Sequence, residues 1–224
     1  MGEVLGQILP VTLVVWFSPV PVTAATLLLL SSHARSVASS YAAGWVLGIT
    51  VYVVGYTLLG GAMAAAGPPS APLLIGVFDA VVAVTMVVLA ISSWRGRPRP
   101  GRSERQPGWM RGIDRMRPPA ALGLGLVFSI FSPTHFTVLA TVGAAIGGGG
   151  LGAAGEVLAG VLFVLIGTSS VTAPVAFALL APERAAVPLR RLHEWVGVHG
   201  NTMATVMFIV FAADFGGKAI GAFL

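Results

Sequence analysis

Long apolar runs separated by short polar segments extend through the whole chain. Several of these runs exceed the roughly 18 consecutive apolar residues that indicate a membrane-spanning helix. They predict six spans, which cover residues 4–30, 41–63, 73–94, 119–146, 152–180 and 199–223. The pattern therefore predicts an all-α integral membrane protein with six transmembrane helices.

One seven-residue motif occurs in the first predicted span and again in the fourth. Residues 17–23 read FSPVPVT and residues 131–137 read FSPTHFT, so both copies follow F-S-P-x-x-x-T, 114 positions apart. Proline inside a helix removes a backbone donor and clashes with the preceding turn. Pro19 and Pro133 therefore predict that the first and fourth helices are broken. Paired breaks at matching places in two halves are typical of a transporter binding site.

Composition supports the membrane assignment and excludes several kinds of site. Hydrophobic residues make up 56% of the chain and charged residues 9%, whereas a soluble domain carries about 25% charged residues. The absence of cysteine excludes disulfides and thiolate metal sites. The net charge of +5 does not indicate a nucleic acid partner, because most of the excess lies in one short loop.

That loop runs from Arg95 to Arg117 and contains eight arginines against Glu104 and Asp114. Basic residues in short loops remain cytoplasmic, so we place this loop on the cytoplasmic side of the inner (plasma) membrane. Segments 31–40 and 182–198 are then also cytoplasmic loops, and both termini lie outside. The predicted organisation is a first three-helix repeat (1–94), a basic cytoplasmic linker (95–118) and a second three-helix repeat (119–224).

Three spans in each half give the two halves opposite orientations. The first helix would run outward to inward and the fourth inward to outward, which is the 3+3 inverted-topology repeat of secondary transporters. Ser18 lies about 14 residues into its span and Ser132 about 13 into its own. Both serines are therefore about 20 Å deep, near the middle of a ~30 Å hydrocarbon core.

Three short motifs resemble one actinobacterial family. They are Ser-Pro-Val-Pro at 18–21, Ser-Ser-His-Ala-Arg at 31–35 and Gly-Trp-Val-Leu-Gly at 44–48. Together with the Ser-Pro pair in the fourth span, they resemble the GAP-like family of glycopeptidolipid and sulfolipid-1 addressing proteins, placed in the lysine-exporter (LysE) superfamily. The resemblance covers nearly the whole chain and implies export or surface delivery of a cell-envelope glycolipid.

The chain also departs from the wider superfamily pattern. Lysine exporters tend to carry Pro-Gly-Pro in the first helix and Asn-Pro in the fourth, whereas this chain has Pro-Val-Pro at 19–21 and Ser-Pro at 132–133. These smaller and less polar half-helix ends are compatible with a cargo other than a free amino acid.

Candidate substrate- or ion-binding residues surround the two breaks, and one more lies in the third span. They are Ser18, Pro19, Thr23, Asp79, Ser132, Pro133, His135 and Thr137. The prolines either expose backbone groups to a cavity or only kink the helix. The two threonines, each four residues after a motif proline, either contact cargo and freed carbonyls or bond back to their own helix.

Asp79 and His135 are the ionisable candidates. A carboxylate within a span is costly and usually functional, although Asp79 could instead reach headgroup water near the outer end of its span. His135 is predicted at a similar depth, so the two could relay a proton. The alternative for His135 is a neutral ring that donates to a freed carbonyl. Asp214 and Lys218, four residues apart, predict a local ion pair.

The sequence therefore favours a transporter that assists glycolipid export, with ion or proton coupling because no nucleotide-binding motif appears. An exporter of another small amphiphile, an amino acid or a metal ion is one alternative. A non-transporting scaffold of a lipid-export complex is another, with the arginine loop contacting a lipid-export or synthase partner, or anionic headgroups. We expect no enzyme activity, cofactor or metal site, and a homodimer is a candidate assembly.

Overall fold

The computed structural model describes residues 2–16, 18–31, 33–65, 72–97, 116–130 and 133–223, and this part of the chain is all-helical. Most of the arginine loop, including 98–115, lies outside the described residues. The helices are α1 (Gly2–Trp16), α2 (Pro19–Leu29), α3 (Ala34–Ala65), α4 (Pro72–Arg95), α5 (Pro118–Ile130), α6 (Pro133–Gly148), α7 (Gly152–Leu180) and α8 (Pro182–Phe223).

Both copies of the repeated motif interrupt a helix, as predicted. The first interruption separates α1 from α2, and the second separates α5 from α6. Pro19 and Pro133 each occupy the first position of the following helix, where a missing N–H costs no helical bond and the fixed φ angle suits the helix. Each proline therefore starts a half-helix. Pro174, by contrast, lies within the continuous helix α7.

In the described part of the chain, four helical segments are long and apolar enough to cross a membrane: α3, residues Gly76–Arg95 of α4, α7 and residues Val198–Phe223 of α8. Their outer faces carry large exposed apolar side chains, including Leu58, Leu165 and Leu180. Soluble monomers rarely expose contiguous apolar surface on this scale. The chain is therefore a membrane protein.

Residues 182–198, which we expected to form a loop, are instead the first part of α8. At 1.5 Å per residue a helix of 42 residues is about 63 Å long, twice the hydrocarbon thickness. Ala185 and Leu189 are buried and Leu192 packs on the core. Their spacing of four and three residues is that of an amphipathic helix, which explains why a charged segment remains helical.

Helix α3 is the central element, since it packs against α2, α5, α6 and α7. Small residues permit this close packing: a Cβ at Gly125 would collide with the Tyr41 carbonyl, and one at Gly147 with the Thr57 carbonyl. Close approach at glycine is a common means of helix association in membranes. The contacts Gly125–Tyr41 and Gly147–Thr57 also show that α3 runs in the same direction as α5 and α6.

Two other helix pairs run in opposite directions. Gly76 of α4 lies against Ala222 of α8, while Asn201 near the other end of that span donates to the carbonyl of Gly96. Similarly, Gly149 after α6 lies against Val4 near the start of α1, while Ser18 after α1 contacts His135 near the start of α6. The chain therefore places α4 antiparallel to α8, and α1 antiparallel to α6.

Candidate functional site

The two interruptions meet at one polar contact. Ser18, which precedes α2 in an extended conformation (φ −78°, ψ 102°), has its hydroxyl 3.0 Å from Nε2 of His135. His135 is the third residue of α6 and is 1% exposed. Two residues from the separate motif copies thus share a hydrogen bond, although they are 117 positions apart in the sequence.

The His135 ring is enclosed by α3 and α5. The Trp45 ring packs edge-on against it, with 5.2 Å between ring centroids. The backbone of Phe128 and Ser129, in the last turn of α5, lies close to the ring, and Nδ1 has no hydrogen bond to a described residue. The indole Nε1 of Trp45 is likewise buried and unpaired within the described structure. The centre of the site therefore holds polar atoms whose hydrogen-bonding capacity is not used up.

Two tyrosines of α3 each donate to a carbonyl beside one interruption. The Tyr41 hydroxyl donates to the carbonyl of Pro21 in the first turn of α2 at 3.0 Å. The Tyr52 hydroxyl donates to the carbonyl of Ile130, the last residue of α5, at 2.8 Å. The final carbonyls of a helix have no partner within it, so Tyr52 compensates directly for the second interruption.

The electrostatic character of the site follows from the half-helices that meet there. Both α2 and α6 begin at the Ser18–His135 contact. Helix N-termini carry unpaired N–H groups and partial positive charge, which favours anionic or strongly accepting groups. Two such N-termini facing one polar centre form an arrangement suited to an anionic or hydroxyl-bearing ligand.

A cavity of about 360 Å³ opens beside the first interruption. It lies between the first broken helix, α7 and α8, and Ser18 connects it to the polar centre. The Trp16 indole, which donates to the Ser169 hydroxyl at 2.9 Å, holds the end of α1 against α7 here. The walls are mostly apolar side chains. They include Trp16, Ser18, Ala173, Pro174, Trp195 and Met203.

Asp79 lies elsewhere, on the α4–α8 pair. It is 8% exposed, and Lys218 and Asp214 are the charged groups that act on it. Lys218 pairs with Asp214 at 2.8 Å, as the sequence spacing predicts. Within the described residues Asp79 has no hydrogen bond to His135, which contacts Ser18 and Trp45. The structure therefore does not bring together the expected Asp79–His135 relay.

The remaining predicted residues are only partly described. Thr23 lies half-buried in α2, and its carbonyl accepts a hydrogen bond from Thr26 at 2.9 Å. Ser132 lies outside the described residues. Pro19, Pro133 and Thr137 are placed by backbone alone, in the half-helices described above.

Sequence reasoning missed the α3 side chains that complete the site. Trp45 and Tyr41 are fully buried, and Tyr52 is partly buried. A signal was present, since a tyrosine hydroxyl or indole N–H within a span requires a partner and often finds one at a helix break. Among the described residues, no group of three or more His, Cys, Asp and Glu side chains is arranged to hold a metal ion.

Comparison with known proteins gives one family match. The model for the family described as Sap, sulfolipid-1-addressing protein, matches residues 8–221. No curated protein and no solved structure matches the chain.

Proposed function

Because the chain belongs to the sulfolipid-1-addressing protein family, we propose that it exports a cell-envelope glycolipid, or assists its delivery to the surface. The single observation that carries this proposal is the Ser18–His135 contact, which joins two helix interruptions into one polar centre. The family match names the class of cargo, and the contact supplies a candidate place to bind it.

We further propose that the chain is a six-span inverted repeat of the lysine-exporter type. In this arrangement α1 and α2 form the first span, and α5 and α6 form the fourth. A two-fold axis in the membrane plane would require the first and fourth spans to be antiparallel, and the third and sixth likewise. The antiparallel packing of α1 on α6 and of α4 on α8 supports this requirement.

A second relation supports the same symmetry. Helix α3, the second span, runs parallel to the fourth span. The repeat then requires α7, the fifth span, to run parallel to the first. Thr12 lies against Gly167, and Arg35, which follows the first span, donates to the carbonyl of Leu179 at 3.4 Å. Residue numbers therefore increase in the same direction along α1 and α7, so these helices are parallel, as the symmetry requires.

In the proposed mechanism the glycolipid headgroup occupies the polar centre during transit. A sulfate, phosphate or sugar hydroxyl would accept hydrogen bonds from the N-terminal N–H groups of α2 and α6. Ser18 would contact the headgroup first, because it lines the cavity whereas His135 is enclosed. His135 would then exchange its Ser18 partner for the headgroup or for a water molecule.

Coupling to a proton or ion gradient forms part of this proposal. Asp79 is the carboxylate we assign to it, because it is only 8% exposed within a span and interacts electrostatically with Lys218 and Asp214. A change in its protonation would alter the charge balance between α4 and α8. His135 would sense that change only through helix movement, since it lies at a different place in the fold.

The test compares surface and internal glycolipid pools in a strain that lacks this protein. Complementation with the wild-type chain should restore the surface pool, and His135→Phe should fail to do so at an equal protein level. Thr85→Val, which removes a hydroxyl bonded within its own helix turn, is the matched control and should restore export. Unchanged glycolipid pools in the deletion strain would refute export.

The scaffold alternative predicts a different result from the same strain. Neutralising the arginines at positions 95–105 should abolish surface delivery if the loop recruits a partner. His135→Phe should then be tolerated. If the chain itself exports the lipid, His135→Phe should impair surface delivery more than neutralising the arginines does.

A further inference from the structure

We propose that the cavity beside the first interruption binds one acyl chain of an anionic lipid, which enters from the arginine-bearing side of the membrane. This inference rests on the proposed export function and adds the place and orientation of the lipid. It comes from three features: the shape and chemistry of the cavity, its connection to the polar centre, and the charges at one end of it.

The cavity has the size and lining of a lipid-chain site. Its volume of about 360 Å³ falls within the range of roughly 300–1,000 Å³ that small-molecule sites occupy. Apolar walls exclude a free amino acid or metal ion, because a charged group buried there would lack partners. Trp16 and Trp195 flank the space, and such rings bury large apolar areas against hydrocarbon.

Ser18 is common to the cavity and to the polar centre. A chain bound between α7 and α8 would therefore leave its polar end close to the half-helix N-termini. The cavity thus offers a binding place for the apolar part of an amphiphile, which the polar centre cannot bind. It also explains why Ala173 and Gly200 occur in its wall, since small side chains there keep the space open.

The charges around the cavity lie at one end. Arg184, Arg191 and Trp195 follow one another along α8 at spacings of seven and four residues, which places them on the same flank of the helix. Both arginines are exposed, and neither forms an ion pair with a carboxylate in the described part of the chain. Arg35 marks the same end, where it donates to the carbonyl of Leu179.

An anionic headgroup complements this flank. Guanidinium groups bind phosphate and sulfate in a two-pronged geometry and are favoured at membrane surfaces of that charge. Trp195 stacks on His199, with 5.1 Å between the ring centroids, and the aromatic pair lies along α8 between Arg191 and the cavity-lining Gly200. A lipid with its headgroup at Arg191 would pass its acyl chain over Trp195 into the cavity.

The experiment uses the purified full chain in phosphatidylcholine nanodiscs doped with phosphatidylglycerol that carries a diazirine on one acyl chain. After illumination, the label should be found on peptides that line the cavity. Ala173→Phe should lower this labelling about tenfold, the loss expected when roughly two methylene groups are no longer buried. Ala154→Phe, which changes another exposed alanine at the other end of α7, should label like the wild type.

A second arm tests the headgroup. The wild type should label more strongly with the phosphatidylglycerol probe than with a phosphatidylcholine probe of the same chain, and Arg191→Gln should remove that preference. Arg190→Gln, at an equally charged and exposed position about 100° further round α8, should retain it. Equal labelling by both probes in the wild type would overturn the anionic assignment.

Labelling does not depend on transport, so the two proposals fail separately. Cavity labelling that Ala173→Phe leaves unchanged, or label spread evenly over lipid-facing residues such as Leu165, overturns the acyl-chain site. Cavity labelling that behaves as expected supports the site, even in a chain whose deletion leaves the surface glycolipid unchanged. An unchanged surface glycolipid pool in the deletion strain would refute export but would not refute the acyl-chain site.

Discussion

Tyr41 and Tyr52 lie about three turns apart on α3, and each donates its hydroxyl to a carbonyl beside a different helix interruption. One helix of the first half thus stabilises both broken spans. The Tyr52 bond stabilises the second interruption directly, because the last carbonyl of α5 has a partner that an uninterrupted helix would not need.

Removing one of these hydroxyls should destabilise the protein without changing its shape. Tyr52→Phe leaves the Ile130 carbonyl without its donor, which should cost about 1–3 kcal/mol. Thermal unfolding in detergent, followed by circular dichroism, measures the effect. Thr85→Val should cost much less, because the carbonyl of Val81 already accepts a helical N–H. Equal losses for the two variants would contradict the role given to Tyr52.

The Ser18–His135 hydrogen bond can be isolated by a double-mutant cycle. Ser18→Ala and His135→Phe each remove the contact, so the double variant should be less destabilised than the sum of the two. We expect a coupling free energy of about 0.5–3 kcal/mol, the range for residues in contact. Chemical unfolding in mixed micelles provides the four measurements. Strict additivity would show that the contact contributes nothing.

Packing between α3 and α6 should discriminate between two adjacent glycines. A Cβ at Gly147 would collide with the Thr57 carbonyl and lie 2.6 Å from the Gly61 nitrogen, whereas one at Gly148 would meet only Ala64 at 3.9 Å. Gly147→Ala should therefore destabilise the protein by about 1–3 kcal/mol. Gly148→Ala should be nearly neutral in the same thermal assay. A reversed order would contradict the packing of these helices.

Asp79 is expected to affect the driving force of export more than lipid binding. In proteoliposomes loaded with a fluorescent glycolipid, an imposed pH gradient should accelerate outward movement by the wild type. Asp79→Asn should remove the acceleration, because the amide cannot exchange a proton near Lys218. Asp214→Asn, whose side chain is half exposed, should retain most of it. Acceleration that survives in Asp79→Asn would exclude this carboxylate from coupling.

The proposed topology can be mapped because the chain contains no cysteine. A single cysteine at Gly2 or Ala153 should react with a membrane-impermeant maleimide on intact cells. Cysteines at Ser36 or Glu183 should react only after permeabilisation. All four positions are exposed in the structure. Reaction of the Gly2 and Glu183 positions from the same side would contradict an inverted six-span repeat.

The membrane class, the family and the two helix interruptions were all predictable from the sequence. Apolar run length reports burial in lipid directly, and proline acts on its own helix regardless of what surrounds it. The Asp214–Lys218 pair was equally predictable, because a spacing of four residues brings side chains together on any helix. These features depend on local geometry, which a single sequence displays.

The partners of the polar residues required the tertiary structure. His135 and Asp79 have similar predicted depths, yet His135 contacts Ser18 and Trp45 while Asp79 lies beside α8. The sequence predicts only the depth of a residue in the membrane, whereas helix packing determines its position in the membrane plane. Close approach at glycines such as Gly125 decides which helices become neighbours. The helical start of α8 and the cavity against α7 also arose from packing, because Ala185 and Leu189 find apolar partners only in the assembled fold.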